Sequence, residues 1–521
     1  MFKKIFICKK SLLLFLGIFW HFLSFPVSAQ ILNSGSNLIR IQSIEFVGNT
    51  IFSDEELKKA IKPLANEVSI DRLLEVTSEI SDYYVAKGYV SSGAFLPEQE
   101  FDGTLKIRVV EAVLTKIEIE GTSKINDTYI TSRLPLGEVL NKNDLLRSLA
   151  KLSKEPSIEK INSELIRLTP SKNNLIVSIK ESTPLKTQFT ASNTFSPSIG
   201  TWGGSAAVSY HLLGYGDFLV LTYTGTGQQG LSRYGANYSI PVNTQNGILS
   251  FSYSNADSQI VEEPIANALD IQSDLRAYKV NFKQPLDVGL NSRLSFEAGI
   301  EQITTQSSID DVSFAFTEGI PDGEINLSAI RLVQEYTTMD INNSFSARSQ
   351  FNLGVDLFDA TVTDTGIDSL FWSWQGQIRL AKKLDDIALV SSLNLQFSED
   401  QLLPIEQLSL GGKDSVLGYR ENLSIGDNGV IGSIEAQIPV LKFSNQKGMV
   451  KIIPFVGAGK IWNSSDREIQ ENALFSVGLG LNLELEDWLQ ARINYAVPLT
   501  KTDISSDFAE QEISFSLQVQ P

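Results

Sequence analysis

From Leu185 onward the chain alternates apolar and polar side chains with a period of two, and the polar partners would make a poor dry core. In WLQARINYAVPL (488–499), Leu489, Ala491, Ile493, Tyr495 and Val497 share one face, while Gln490, Arg492 and Asn494 share the other. Phe475, Val477, Leu479, Leu481 and Leu483 alternate likewise with Ser476, Gly478, Gly480 and Asn482. Successive side chains of a strand point to opposite faces, so such segments read as strands. A soluble sandwich can show the same alternation, but Gly, Ser, Asn, Gln and Arg on the inner face suit a wet lumen with lipid outside. About sixteen such segments occur, near 186, 202, 217, 232, 247, 273, 292, 329, 344, 371, 387, 428, 449, 472, 488 and 511. Tight turns such as LLGYG (212–216), DINN (340–343) and KKLDD (382–386) alternate with longer connections near 257–272, 304–328, 356–370 and 400–427. An even strand count, short turns at one end and long loops at the other predict an outer-membrane β-barrel over 184–521.

The beginning of the chain points to the same compartment. Lys3, Lys4, Lys9 and Lys10 precede an apolar run from Ser11 to Phe25, Pro26 breaks it, and Val27-Ser28-Ala29 offers a small-residue cleavage site. Residues 1–29 therefore read as a signal peptide, because the run is short against the ~20 residues a spanning helix needs. The only cysteine, Cys8, leaves with it, which excludes disulfides and thiolate metal sites from the mature chain. The net charge of −18 becomes about −22 once the four lysines are removed. Such a chain is a poor partner for nucleic acid.

Between signal and barrel, one pattern occurs twice, over 30–112 and 113–183. Ile44 and Phe46 lead into Gly48-Asn49, Ser53 with Glu56 forms a capping box, and Pro63 stops the helix that carries Leu57, Ala60 and Ile61. Ile70, Leu73, Leu74, Thr77, Ile80 and Tyr84 give a second helix its apolar face, and strands follow at 91–96 and 104–112. The second copy runs from Ile117 to Gly121, through a short helix near Asn126 and one carrying Leu145, Leu146, Leu149 and Leu152, to strands at 158–168 and 174–181. This β-α-α-β-β order with its placed glycine resembles POTRA domains, the periplasmic modules of outer-membrane polypeptide transporters. An exposed edge strand in such a sheet can accept an extended peptide through backbone bonds.

The stretch LGGKDSVLGYRENLSIGDN (410–428) lies in the last of the long connections. Its glycines lack the spacing of a phosphate-binding loop, and no helix follows, so no nucleotide site is expected. Two POTRA-like units, sixteen strands and a sixth outer loop with this tip resemble the two-partner secretion transporters of the haemolysin activation/secretion type, over nearly the whole mature chain. In that family the loop (here 400–427) folds back into the barrel on a Val-Arg-Gly-Tyr tip. Val416, Gly418 and Tyr419 match, Leu417 replaces the arginine, and Arg420-Glu421 follow. The family's Phe-x-Asp-x-Gly strand motif is met by Phe455 and Gly459, with Gly457 in place of the aspartate, and Glu435 faces the lumen from the strand before it. About ten residues separate Ala29 from the first POTRA-like strand, too few for the plug helix and linker of some members.

The resemblance implies a monomeric conduit in outer-membrane lipid that exports one large exoprotein in extended form, its N-terminal region captured by the periplasmic units. It implies no cofactor, metal or nucleotide. Catalysis is not expected, since His211 is the sole histidine outside the signal and has no partner for a zinc site or triad. The alternatives are a factor that inserts other barrels or a diffusion porin. Both charges of the family's arginine–aspartate lock are missing, and losing both partners costs far less than losing one. An exchanged lock is thus expected, with a transporter that has lost it as the alternative. Leu417 would pack into the space at Gly457, and Arg420 would take a lumen carboxylate, Glu435 being the candidate.

Overall fold

The computed structural model describes residues 38–521 except 101, 290, 318, 365, 444–446 and 503–511, so the expected signal peptide and Cys8 lie outside the described residues. The chain divides between Ser182 and Thr183 into two compact units.

The first unit contains the duplicated pattern. One copy comprises a strand Ser43–Val47, helices Asp54–Ala60 and Ile70–Ala86, and strands Gly93–Phe95 and Thr104–Val110. The other comprises Val113–Glu120, helices Asp127–Thr131 and Lys142–Leu152, and strands Ile158–Thr169 and Lys172–Glu181. In both, the last strand is central, parallel to the first and antiparallel to the fourth element. Each copy has its own core, with Leu57, Leu73, Val76 and Ile80 packed with Leu105 and Ile107 in one, and Leu145, Leu149 and Leu152 with Leu175 and Val177 in the other. The Ser53–Glu56 capping box forms at both of its bonds. Ile70 and Leu74 depart from expectation, being 54% and 51% exposed, while Val76 is buried. A sheet of three short strands covers one stripe of the helix, and the first turn and the flank stay outside it.

A carboxylate ties each copy together. Glu111, just past the last strand of the first copy, accepts the amides of Thr50 and Ile51 (both 2.9 Å) and the Tyr84 hydroxyl (2.7 Å). Glu181 does the same for the amides of Ser123, Lys124 and Ile125, each at 2.8 Å. The turn they hold begins at Gly48 (φ +95°) or Gly121 (φ +82°). A side chain at either would run into the carbonyl of Val109 or Ile179 on the central strand. Burial opposes the charge on Glu181, but the three amides and the Ser123 hydroxyl hold its carboxyl down at about 2. A depressed carboxyl contributes stability that is complete above its ordinary value of 4.5 and is lost as pH falls toward 2. A fragment of residues 38–182 is therefore expected to lose on the order of 1–2 kcal/mol between pH 5 and pH 2 through this group, allowing for its partial exposure. Urea melts of the fragment should show that slope, and Glu181→Gln should flatten it.

The second unit is a closed antiparallel barrel of sixteen long strands, from Leu185–Ser192 to Ile513–Val519, whose first and last strands pair with Ser192 opposite Ser516. Among the described residues no helix is long and apolar enough to cross a membrane. The alternation is realised with its apolar side outward. Leu479 and Leu481 are 52% and 50% exposed, whereas Ser476 and Asn482 on the inner face are 0% and 3%. Outward tyrosines pair across strands, Tyr223 with Tyr234 and Tyr253 with Tyr278, at ring distances of 5.0 and 5.2 Å. The inner wall is linked by ion pairs such as Lys451–Glu484 at 2.9 Å and Arg331–Glu301 at 3.2 Å.

Several outer connections are shorter than expected because the strands continue into them. The sixth and seventh strands, Ile271–Val288 and Ser292–Ile309, have 18 residues each, where about 9–11 suffice to cross a bilayer. The loops between strands thus shrink to 260–270 and 310–323, while the loop between the eleventh strand (Ile387–Phe397) and the twelfth (Asn428–Lys442) spans 398–427.

Candidate functional site: a loop folded into the lumen

Loop 398–427 is a structured hairpin. Leu408–Leu410 pairs antiparallel with Ser424–Gly426, and Gly411 and Gly412 turn the chain at φ +102° and +99°. That left-handed region disfavours any residue with a Cβ. A side chain at 412 would also collide with the Glu421 carboxylate, which accepts the Lys413 amide at 2.9 Å. Burial pushes the Glu421 carboxyl up. These glycines therefore serve a tight turn.

The tip lies against the inner faces of four consecutive strands: the twelfth, the thirteenth (Gly448–Trp462), the fourteenth (Ala473–Leu485) and the fifteenth (Leu489–Pro498). Leu410 and Val416, both fully buried, and Tyr419 form one cluster with Ile431, Ile461 and Leu474. The Tyr419 hydroxyl donates to the Phe475 carbonyl at 2.7 Å and receives the Thr500 amide at 2.8 Å. Gly418 sits so close to the fifteenth strand that a Cβ there would meet that of Ala496 at 2.9 Å.

The wall residues lie beneath this tip, but two expected contacts are different. Val416, and not Leu417, occupies the space at Gly457: a Cβ on Gly457 would lie 3.7 Å from Val416 Cγ1 and 3.6 Å from Ser476 Oγ. Leu417 is only partly buried. Val416 and Leu417 are adjacent, so at this turn only one of them can face the wall. At Gly459 a Cβ would press on Leu410 Cδ1 at 2.5 Å. Phe455 lays its ring over Gly478, where no side chain would fit.

Arg420 does find a carboxylate, though not Glu435. Glu435 is already paired with Arg492 of the fifteenth strand at 3.0 Å and accepts the Gln437 side-chain amide at 2.8 Å. The Arg420 guanidinium instead engages both carboxylate oxygens of Glu262 in outer loop 260–270, and donates to Ser198 Oγ at 2.8 Å in outer loop 193–202. The Arg420 hydrogen bonds hold the Glu262 carboxyl below its ordinary range against the opposing effect of burial.

The base of the loop is held by groups that the sequence reading missed. Glu406 forms a two-pronged pair with Arg331 of the eighth strand (Glu324–Met339), at 2.6 and 2.8 Å, and both side chains are less than a tenth exposed. Asp427 is fully buried and accepts the Leu402 amide at 3.0 Å, the Gln407 side-chain amide at 2.8 Å and the Ser464 amide at 3.0 Å. Leu402 and Leu403 pack with Ile303, Leu327 and Phe371 on the wall. One signal for Arg331 was available, since it shares a strand face with Leu327, Ala329 and Val333. A lone arginine on an otherwise apolar inner face requires a buried partner.

The architecture has close counterparts. The family model described as "Haemolysin secretion/activation protein ShlB/FhaC/HecB" matches residues 172–483, and that described as "POTRA domain, ShlB-type" matches residues 39–112. The chain is 22% identical over 460 residues to the outer membrane transporter CdiB of Escherichia coli, covering 85% of this chain and 76% of that one. The solved structure of CdiB from Escherichia coli superposes with a TM-score of 0.74 at 20% identity, over 94% of this chain and 93% of that chain. BamA from Haemophilus ducreyi lacking POTRA domains 1–3 shares the fold more distantly, with a TM-score of 0.55 at 15% identity over 92% of this chain and 100% of that chain. A POTRA domain, a sixteen-strand barrel and a family match over most of the barrel together place the chain in the haemolysin secretion/activation family, as a transporter that exports protein across the outer membrane.

Proposed function

We propose that this protein passes one large exoprotein through its lumen as an extended chain, after its two periplasmic modules have captured the N-terminal region of that cargo. The observation that carries this reading is the sixth outer loop. It fills lumen space with a preformed hairpin whose outside contacts are a handful of side-chain bonds and two apolar clusters. A diffusion porin gains nothing from a removable hairpin or from duplicated modules. Closure of the barrel within one chain supports a monomer, and the outward Leu and Tyr face supports direct contact with lipid. We assign no catalytic step. His211 Nδ1 lies 2.9 Å from the Asp217 carbonyl, a bond that closes the turn between the second and third strands.

Strand addition would capture the cargo. The strand Ile158–Thr169 pairs on one side only and, at 12 residues, is the longest free edge of the two small sheets. Backbone bonds along such an edge give affinity that tolerates side-chain change. A fragment of residues 38–182 is expected to bind the N-terminal region of its exoprotein at roughly micromolar strength. A proline in the captured strand should abolish binding, because it removes a ladder donor, whereas a charge reversal should cost less than tenfold. Calorimetric titration tests both, and equal tolerance of the two changes counts against strand addition.

A further inference from the structure

We infer that the lock on the lumen loop of this transporter lies in its outer loops, where Glu262 and Ser198 hold Arg420, and that this bridge positions the loop tip across the barrel mouth. The inference rests on the lumen being the route of export. Its basis is the strand order. The tip packs on strands twelve to fifteen, and Glu262 lies in the connection between the fifth strand (Ile248–Gln259) and the sixth. In a ring of sixteen, strands five and six stand eight places from thirteen and fourteen, so Glu262 comes from a loop rooted on the opposite side of the mouth, while Ser198 comes from strands one and two, only two and three places from fifteen.

The seat for Arg420 is built from two loops that are already joined. The Val261 amide donates to the Ser198 carbonyl at 2.8 Å, and Ser198 Oγ also donates to a Glu262 oxygen at 3.3 Å. Lys413, on the same tip, lies 5.9 Å over the ring of Phe195 in the first of these loops. Both basic side chains of the tip thus reach outward, Arg420 to both outer loops and Lys413 to the first of them. The wall itself offers the tip no charge at Gly457, and the buried Ser476 Oγ beside it has no hydrogen-bond partner. Apart from the two bonds of the Tyr419 hydroxyl, the tip meets the wall through apolar contact, which is non-directional. A two-pronged guanidinium–carboxylate pair adds both strength and orientation. Its side chains are 17% and 29% exposed, so it is partly shielded from water yet accessible from outside the cell. Glu262 and Ser198 are therefore positioning residues for the gate, and a movement of loop 260–270 frees Arg420 and leaves the tip held only by its wall contacts.

The test uses the full-length protein in planar bilayers and the same variants in cells that express the cognate exoprotein. Glu262→Gln and Arg420→Glu should each raise the open probability about tenfold, as loss of a partly shielded two-pronged pair implies. The exchanged pair, Arg420→Glu with Glu262→Arg, should return the channel most of the way to its closed state, a rescue that general loosening of the barrel would not produce. Glu435→Gln, which breaks the wall pair with Arg492 and touches neither Glu262 nor Ser198, should leave the open probability unchanged. Heat-modifiable migration on gels shows that each variant has folded. The inference is overturned if both single variants gate like the parent protein, if the exchange is no closer to the parent than the single variants, or if Glu435→Gln opens the channel equally. If gating changes as expected while export does not, the lock stands and the lumen route falls.

Discussion

Cysteines placed at Val416 and Gly457 are expected to join under oxidation and to stop export completely until a reductant is added. A Cβ on Gly457 would lie 3.7 Å from Val416 Cγ1 and 3.9 Å from its Cα. The Val416 Cβ is bonded to both of those atoms and stands no nearer than 3.9 Å, and disulfides form where Cβ atoms are about 3.5–4.5 Å apart. The chain has a single cysteine, Cys8, in the segment expected to be cleaved, so no other thiol competes. The bond would fix the tip to the thirteenth strand, at the centre of the cluster that includes Ile461 and Leu474. A shift in gel mobility reads cross-linking, and exoprotein in the medium reads transport. Full cross-linking with undiminished export would mean that the cargo passes the tip without displacing it. Export that fails without any cross-link would point to damage from the substitutions themselves.

The second large effect is expected at the base of the same loop. Arg331→Met leaves Glu406, whose side chain is 6% exposed, as a buried charge without its partner. Removing one member of such a pair costs on the order of 3–5 kcal/mol, while replacing both members by apolar residues is often neutral. Arg331→Met should therefore lower the temperature at which the barrel loses its compact gel migration, and should expose loop 398–427 to added protease. Arg331→Met with Glu406→Leu should recover most of both. The remaining partner of Arg331, Glu301, is 22% exposed and can take water in its place. If the double variant is as labile as the single one, the pair is not what anchors the base of the loop.

What could be read along the chain was what repeats along it. All sixteen barrel strands follow from alternation, because a strand with lipid on one face and water on the other must change character at every residue. Both small domains follow from helix signals such as Ser53 with Glu56, and from glycines at 48 and 121 where the central strand comes too close for a side chain. The identity of the sixth loop was also visible, through Val416, Gly418 and Tyr419. Its contacts were not. Arg420 pairs with a residue 158 positions away and another 222 away, and nothing in either neighbourhood indicates that they meet. Glu435, a reasonable candidate as an inward carboxylate, was unavailable because Arg492 holds it from the fifteenth strand. Strand length beyond the bilayer was hidden for a similar reason, since a strand and a polar loop look alike once the lipid face is gone. Periodicity records which side of the wall a residue faces. Which residue it meets across the lumen depends on closure of the ring and the path of the loop, and these exist only in three dimensions.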